Sequence, residues 1–217
     1  MGTLKKFLTP STSVRERSTT GESIGHQHPC IDIPISFRIY CDKSRFTYSI
    51  FYIGHERFKA ISTKYSFKRL ADIYLHETSS VDSPAIGHAT LRVSGDIDVA
   101  LPSGIQAVRE HFWKDMHTFA MPVGGRMERF QWRRSRGKEV KRLGGWGSKW
   151  KLVRLDGDEI VAVYAVDLWT PNLSGRFEFL GAGATKELGR DWTIATVVTA
   201  LALGEKERQD VATSSTS

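Results

Sequence analysis

The chain has 217 residues, of which 40% are hydrophobic and 25% are charged. That length predicts one domain, and the apolar share is enough to bury a core, which excludes wholesale disorder. Lys and Arg number 31 against 24 for Asp and Glu, giving a net charge of +7. This excess favours an anionic partner, such as a phosphorylated lipid surface or a nucleic acid. Two cysteines are too few for a disulfide scaffold.

Residues 1–30 are basic and rich in Ser and Thr, which predicts a disordered N-terminal arm. The arm lacks the continuous apolar stretch of a secretory signal, so we expect a protein that is not secreted. A cytoplasmic location is predicted, with peripheral attachment to membranes or a nuclear location as alternatives. A mitochondrial presequence is a further alternative, because such segments are also basic and poor in acidic residues.

The end of the arm carries His26, His28 and Cys30, and Cys41 follows. All of these side chains can bind zinc, but the paired spacing typical of zinc sites is missing. We therefore predict no metal site and expect both cysteines to be reduced thiols.

Residues 31–209 are predicted to form the folded domain. Short runs rich in β-branched and aromatic residues, separated by turn residues, indicate about ten strands. The runs are 35–41, 46–52, 73–78, 85–93, 97–101, 117–121, 127–132, 149–155, 159–169 and 176–180. Asp156-Gly157-Asp158 predicts a tight hairpin, and Ser94-Gly95-Asp96 and Gly124-Gly125 predict two more reversals. Residues 102–115 are expected to form a loop or a short helix.

The longest apolar run, 192–203, is apolar around the whole helical circumference. It is too short to span a membrane, which takes about 20 apolar residues. We predict a hydrophobic helix over 188–208, with Asp191 as a candidate N-cap, followed by a disordered tail at 210–217. An ordinary core helix and a helix enclosed by a closed sheet are both compatible with this pattern.

Many strands followed by one apolar helix, without amphipathic helices between them, predict an antiparallel sheet. A sheet of this size must close or fold over to hide its edges. A barrel of more than about eight strands is too wide for its own side chains to fill, and an apolar helix could fill it. The predicted fold class is therefore all-β, a closed antiparallel β-barrel around a hydrophobic C-terminal α-helix.

Several blocks of sequence accompany this pattern: 130–135, 143–147, 150–155, 160–164, 177–181 and 192–203. Together they resemble the tubby-like C-terminal superfamily, which includes tubby, the phospholipid scramblases and the LURP-one-related proteins. The set is similar to uncharacterised fungal members in particular. The resemblance covers 117–208 by these blocks, and 31–116 by strand pattern only.

The resemblance implies a barrel of about twelve strands around the helix. It also implies binding of phosphoinositide headgroups by surface Lys and Arg, without assigning those roles to particular residues of this chain. Scramblases carry a longer membrane-anchoring segment after the helix, so a scramblase activity is not expected.

Positive charge is concentrated between residues 126 and 142, a segment that contains eight basic and two acidic residues. The candidate anion-binding or lipid-binding residues are Arg126, Arg129, Arg133, Arg134, Arg136, Lys138, Lys141 and Arg142. Strand alternation predicts Arg129 and Arg133 on one face and Phe130, Trp132 and Arg134 on the other. Residues 135–138 are expected to form a hairpin tip at which basic side chains gather around phosphates. The alternative is a solvated edge whose charge deters aggregation.

No enzyme is predicted. A nucleophile elbow is missing from the sequence, and 181–186 imitates a dinucleotide-binding turn without its third glycine or a βαβ unit. Residues 144–149 lack the ending of a P-loop. We expect no catalytic residue, metal or cofactor. The predicted function is binding of anionic phospholipid, with a protein-interaction or scaffold module and a weak nucleic-acid binder as alternatives.

Overall fold

The computed structural model describes residues 33–42, 50–53, 58–66, 69–101, 103–111, 116–170 and 172–214. The predicted arm at 1–30, with His26, His28 and Cys30, lies outside the described residues. So do residues 46–49 of one predicted strand and residues 215–217 of the predicted tail.

The described chain contains twelve strands and three helices. The strands are β1 (Ser36–Asp42), β2 (Ile50–Ile53), β3 (Ala60–Ser66), β4 (Arg69–His76), β5 (Ala85–Leu91), β6 (Ile97–Leu101), β7 (Gly104–His111), β8 (Met116–Val123), β9 (Arg126–Arg134), β10 (Lys149–Arg154), β11 (Glu159–Val166) and β12 (Leu173–Phe179). The helices are α1 (Lys138–Lys141), α2 (Gly181–Ala184) and α3 (Gly189–Ser214).

All strand pairings are antiparallel, and they form two sheets. One sheet has six strands and the other has four. Some of the pairings between neighbouring strands are short. β2 pairs with β1 over four residue pairs and with β3 over three, and β7 pairs with β8 over three. Through these pairings the neighbours follow the order β1-β12-β11-β10-β9-β8-β7-β6-β5-β4-β3-β2, which returns to β1.

The prediction of a mostly antiparallel β protein with one C-terminal helix is confirmed. The finer prediction of a closed barrel is confirmed only in part, since the strands lie in two antiparallel sheets of six and four strands. The two shortest pairings among the described strands, β2 with β3 and β7 with β8, have three residue pairs each and supply few ladder hydrogen bonds. Strand β7 covers residues 104–111 of the segment 102–115, for which a loop or short helix was predicted, so that prediction is wrong there. Residues 102 and 112–115 lie outside the described residues.

The predicted reversals lie where expected. The hairpin at Asp156-Gly157-Asp158 joins β10 to β11. Between β8 and β9, Gly124 and Gly125 have φ of 55° and 80°. Both values lie in the left-handed region that glycine reaches without steric cost, which allows the two-residue turn.

The apolar helix α3 lies in the core. Every residue from 194 to 205 is buried, and the helix packs against β4, β5, β6, β8 and β11. The Trp132 indole donates to Thr199 Oγ1 at 3.0 Å, which satisfies both buried polar groups. The helix therefore has no solvent-facing stripe along its central turns, as its all-round apolar pattern predicted.

This helix is longer than the predicted 188–208. Residues 210–214, expected to be part of a disordered tail, are helical. The hydroxyls of Thr213 and Ser214 donate to the carbonyls of Gln209 and Asp210, and the Ser214 hydroxyl also donates to the Val211 carbonyl in the last turn. Asp191 lies in the first turn instead of at the N-cap position.

Candidate anion-binding groove

The basic segment occupies β9 and its connection to β10. Strand β9 ends at Arg134, the one-turn helix α1 follows, and a glycine-rich loop at 143–148 leads to Lys149, the first residue of β10. The predicted hairpin tip at 135–138 is therefore wrong. The chain makes a longer excursion before it turns back, because α1 and the loop lie between the two strands.

The predicted alternation along β9 is confirmed. Phe130 and Trp132 are fully buried, Arg129 is exposed and Arg133 is half-buried. Arg134, at the end of the strand, is exposed although it shares the parity of the buried residues. It lies at the rim, where the sheet no longer covers it.

A groove of about 840 Å³ opens between the end of β9 and the glycine-rich loop. Its described lining residues are Arg134, Ser135, Arg136, Lys141, Trp146, Gly147, Ser148, Lys149 and Leu168. Four of these carry a positive charge, and no described lining residue is acidic. The described lining of the groove therefore carries an excess of positive charge.

The four basic side chains are held differently. The Arg134 guanidinium lies 5.2 Å from the Trp150 ring centroid and 3.4 Å from Glu207 Oε1, so its charge is partly offset. The Lys149 ammonium donates to the Gly145 carbonyl at 3.1 Å, which orients it without neutralising it. Arg136 and Lys141 make no ion pair with any described residue.

The other predicted basic residues do not join the groove. Arg126 begins β9, about 26 Å from Arg134 at 3.3 Å per strand residue, and Arg129 points outward from the middle of the strand. Arg133 donates to Gln131 Oε1 at 2.6 Å and lies 3.4 Å from Asp158 Oδ1.

Arg142 forms an ion pair with Glu178 at 2.8 Å. Lys138 is exposed on α1 and does not line the groove. Of the eight predicted residues, the structure brings together Arg134, Arg136 and Lys141.

Lys149 was missing from the predicted set. The backbone N–H of Ser135 donates to the Lys149 carbonyl at 2.9 Å, so the start of β10 lies directly opposite the end of β9. Although α1 and the glycine-rich loop separate them in the chain, β10 begins beside the end of β9 at the rim of the groove. The sequence predicts consecutive strands at 127–132 and 149–155, and pairing them with each other could have identified Lys149.

The glycine-rich loop is fixed by β12. Arg176 Nη1 donates to the Leu143 carbonyl at 3.0 Å, and Nη2 lies 3.5 Å from the buried Asp167 carboxylate. A Cβ at Gly147 would collide with the Val166 carbonyl, so only glycine allows the loop to approach β11 this closely.

A hydrogen bond also orders the other wall. Ser135 Oγ donates to Glu139 Oε1 at 2.6 Å, and this bond lowers the pKa of the Glu139 carboxyl. The nearby Lys151 ammonium, 3.9 Å away, acts in the same direction. Glu139 is therefore held as a carboxylate behind the groove, where it fixes Ser135 between two lining arginines.

Comparison of the chain with protein-family models, with curated proteins and with solved structures finds no match. The resemblance to the tubby-like superfamily accordingly stays a prediction. Among the described residues, no helix has the length and apolar character needed to cross a bilayer. In the same part of the chain, no group of three or more His, Cys, Asp or Glu side chains is arranged to hold a metal ion.

Proposed function

We propose that this protein is a non-enzymatic module of the tubby-like type and that its groove binds the headgroups of anionic phospholipids, phosphoinositides among them. The observation that carries the proposal is the convergence of Arg134, Arg136, Lys141 and Lys149 on one groove whose described lining residues include no acidic side chain. Phosphate oxygens accept several hydrogen bonds from such cations, and guanidinium groups can bind them in a bidentate way.

The proposed architecture is a barrel of twelve strands, in which β2 and β7 join the two sheets around α3. Two observations support it: the pairing order returns to β1, and α3 is buried through residues 194–205. Hydrogen exchange tests it. Amides of Ile50–Ile53 and Gly104–His111 protected nearly as well as those of β9 would support a joined wall, and rapid exchange there would refute it.

The expected affinity follows from the charges. Each Lys or Arg near an anionic membrane contributes about 1 kcal/mol. Discounting Arg134, which Glu207 partly neutralises, leaves three cations and about 3 kcal/mol, equivalent to roughly 150-fold in affinity. The groove is open to solvent, so this contribution falls as salt rises.

Co-sedimentation with phosphatidylcholine vesicles, with and without a phosphoinositide, tests the proposal. The groove variant is Arg136→Glu with Lys141→Glu. The matched control is Arg126→Glu with Arg129→Glu, which makes the same change in net charge on exposed residues farther along β9. We expect the groove variant to lose binding and the control to keep most of it. If the groove variant and the control lost vesicle binding equally, binding would depend on net charge alone and not on the groove. If the groove variant bound vesicles as the wild type does, the proposal would be overturned.

The alternatives give different outcomes. A protein-interaction module would retain a stable protein partner in a pulldown at high salt and would not co-sediment with the vesicles. A nucleic-acid binder would shift an oligonucleotide in a gel at low salt and lose the shift in the groove variant.

A further inference from the structure

Two exposed tryptophans stand beside the groove. Trp146 is 81% exposed and Trp169 is 74% exposed, the highest values among the large hydrophobic side chains of the described residues. Trp132, Trp150 and Trp192 are at most 2% exposed, so the chain buries its other described indoles. Leaving two indoles in water is unfavourable unless a partner covers them.

The two tryptophans belong to adjoining loops. Trp146 lines the groove, and Trp169 directly follows Leu168, which lines it too. The Val166 N–H donates to the Ser148 carbonyl at 2.9 Å, so the loops are joined through the backbone. The loops that carry the two indoles therefore lie side by side at the rim of the groove.

Arg176 holds both loops in place. One guanidinium nitrogen donates to the Leu143 carbonyl of the first loop, and the other lies 3.5 Å from the Asp167 carboxylate of the second. Asp167 Oδ1 in turn accepts from the backbone N–H groups of Trp169, at 3.4 Å, and Thr170, at 3.0 Å. The backbone that carries the tryptophans is thus fixed before any ligand arrives, which lowers the entropy lost on binding.

We infer that Trp146 and Trp169 insert into the interfacial layer of an anionic bilayer and anchor the groove there. This inference rests on the proposed function and names the membrane surface, rather than a soluble phosphate, as the partner. Indoles are amphipathic and favour the headgroup level of membranes. The neighbouring Arg136, Lys141 and Lys149 provide the complementary positive charge. A phosphate bound between these cations would not by itself cover indoles at the rim.

The test uses the full chain and vesicles of phosphatidylcholine with phosphatidylserine, with and without bromine-labelled acyl chains. Bromine quenches indole fluorescence only at short range, so quenching of the wild-type protein is expected. Trp146→Ala and Trp169→Ala should each reduce the quenching and weaken vesicle binding by roughly tenfold. The control is Met127→Ala, which removes a side chain that is 63% exposed near the start of β9 and should change neither readout.

A second arm separates the anchor from the headgroup site. Binding of a soluble inositol phosphate should be unchanged in Trp169→Ala, since Trp169 is not among the described lining residues of the groove, and lost in Arg136→Glu with Lys141→Glu. If wild-type protein binds vesicles without quenching, or if the tryptophan variants bind as the wild type does, the anchor is refuted while the proposed function stands. If neither vesicles nor the inositol phosphate bind, both are refuted. If the wild type bound a protein but no vesicles, and if the tryptophan variants lost that protein binding, the surface would be assigned to a protein partner instead.

Discussion

Replacing Val197 by Asp places a charge at the centre of the buried helix. Val197 is 1% exposed, and every residue from 194 to 205 is buried, so the new carboxylate could not reach water by a small rotation. Loss of the buried valine side chain costs about 1.5–3 kcal/mol. An unpaired buried charge adds several kcal/mol more. The sum of roughly 5 kcal/mol or more approaches the whole stability of an ordinary domain, about 5–15 kcal/mol.

The matched control is Val211→Asp, the same substitution on the same helix at a residue that is 44% exposed. Its stability should stay within about 0.5 kcal/mol of the wild type. Urea unfolding followed by circular dichroism, with size-exclusion chromatography, compares the two. Val197→Asp should lack a cooperative transition or aggregate. If Val197→Asp unfolded cooperatively with a loss below about 1 kcal/mol, the burial of the helix on all sides would be disproved.

Three further predictions concern the packing. Gly87→Val should lower the free energy of unfolding by about 1–3 kcal/mol in urea melts, since even a Cβ there collides with Ile194; wild-type stability would contradict this close approach. Burial raises the pKa of Tyr164 to about 12. The buried, protonated Tyr164 side chain therefore contributes its full stabilisation below pH 10.0, the ordinary tyrosine pKa. That contribution is lost as the pH rises through about 12. The absorbance of phenolate measured during alkaline unfolding checks this prediction. Titration of Tyr164 near pH 10.0 in the folded protein would contradict the raised pKa. Arg176→Met should cost about 2–4 kcal/mol in thermal melts by stranding Asp167, and adding Asp167→Asn should restore part of the loss. Additive effects of the two changes would refute that coupling.

The features that sequence predicted well are local. The hairpin at Asp156-Gly157-Asp158 follows from the φ values that the turn requires, and the buried faces of β9 follow from its alternation. The part of helix α3 up to residue 208 follows from an apolar run that has no polar stripe, whereas residues 210–214 were predicted as a tail. Each of these signals lies within a few residues of the structure that it specifies.

The features that sequence missed depend on distant parts of the chain. Arg126 and Arg136 belong to one contiguous basic segment of the sequence. In the structure Arg126 begins the extended strand β9 and Arg136 lies beyond its end, so the whole strand separates them. Lys149 was missed because only the pairing of β9 with β10 brings it to the rim. The grouping of the strands into two sheets depends on pairings between distant segments, such as β1 with β12, which the pattern of a single strand does not encode.

Nuclear magnetic resonance mapping of a soluble inositol phosphate onto the full chain tests the central claim most directly. The account predicts chemical-shift changes at the backbone amides of Arg134, Arg136, Lys141 and Lys149, with the side-chain signals of Arg136 and Lys141 moving most. Amides of Arg126 and Arg129 should not move. Changes centred on Arg126 and Arg129, or spread evenly over all basic residues, would contradict a binding site in the groove.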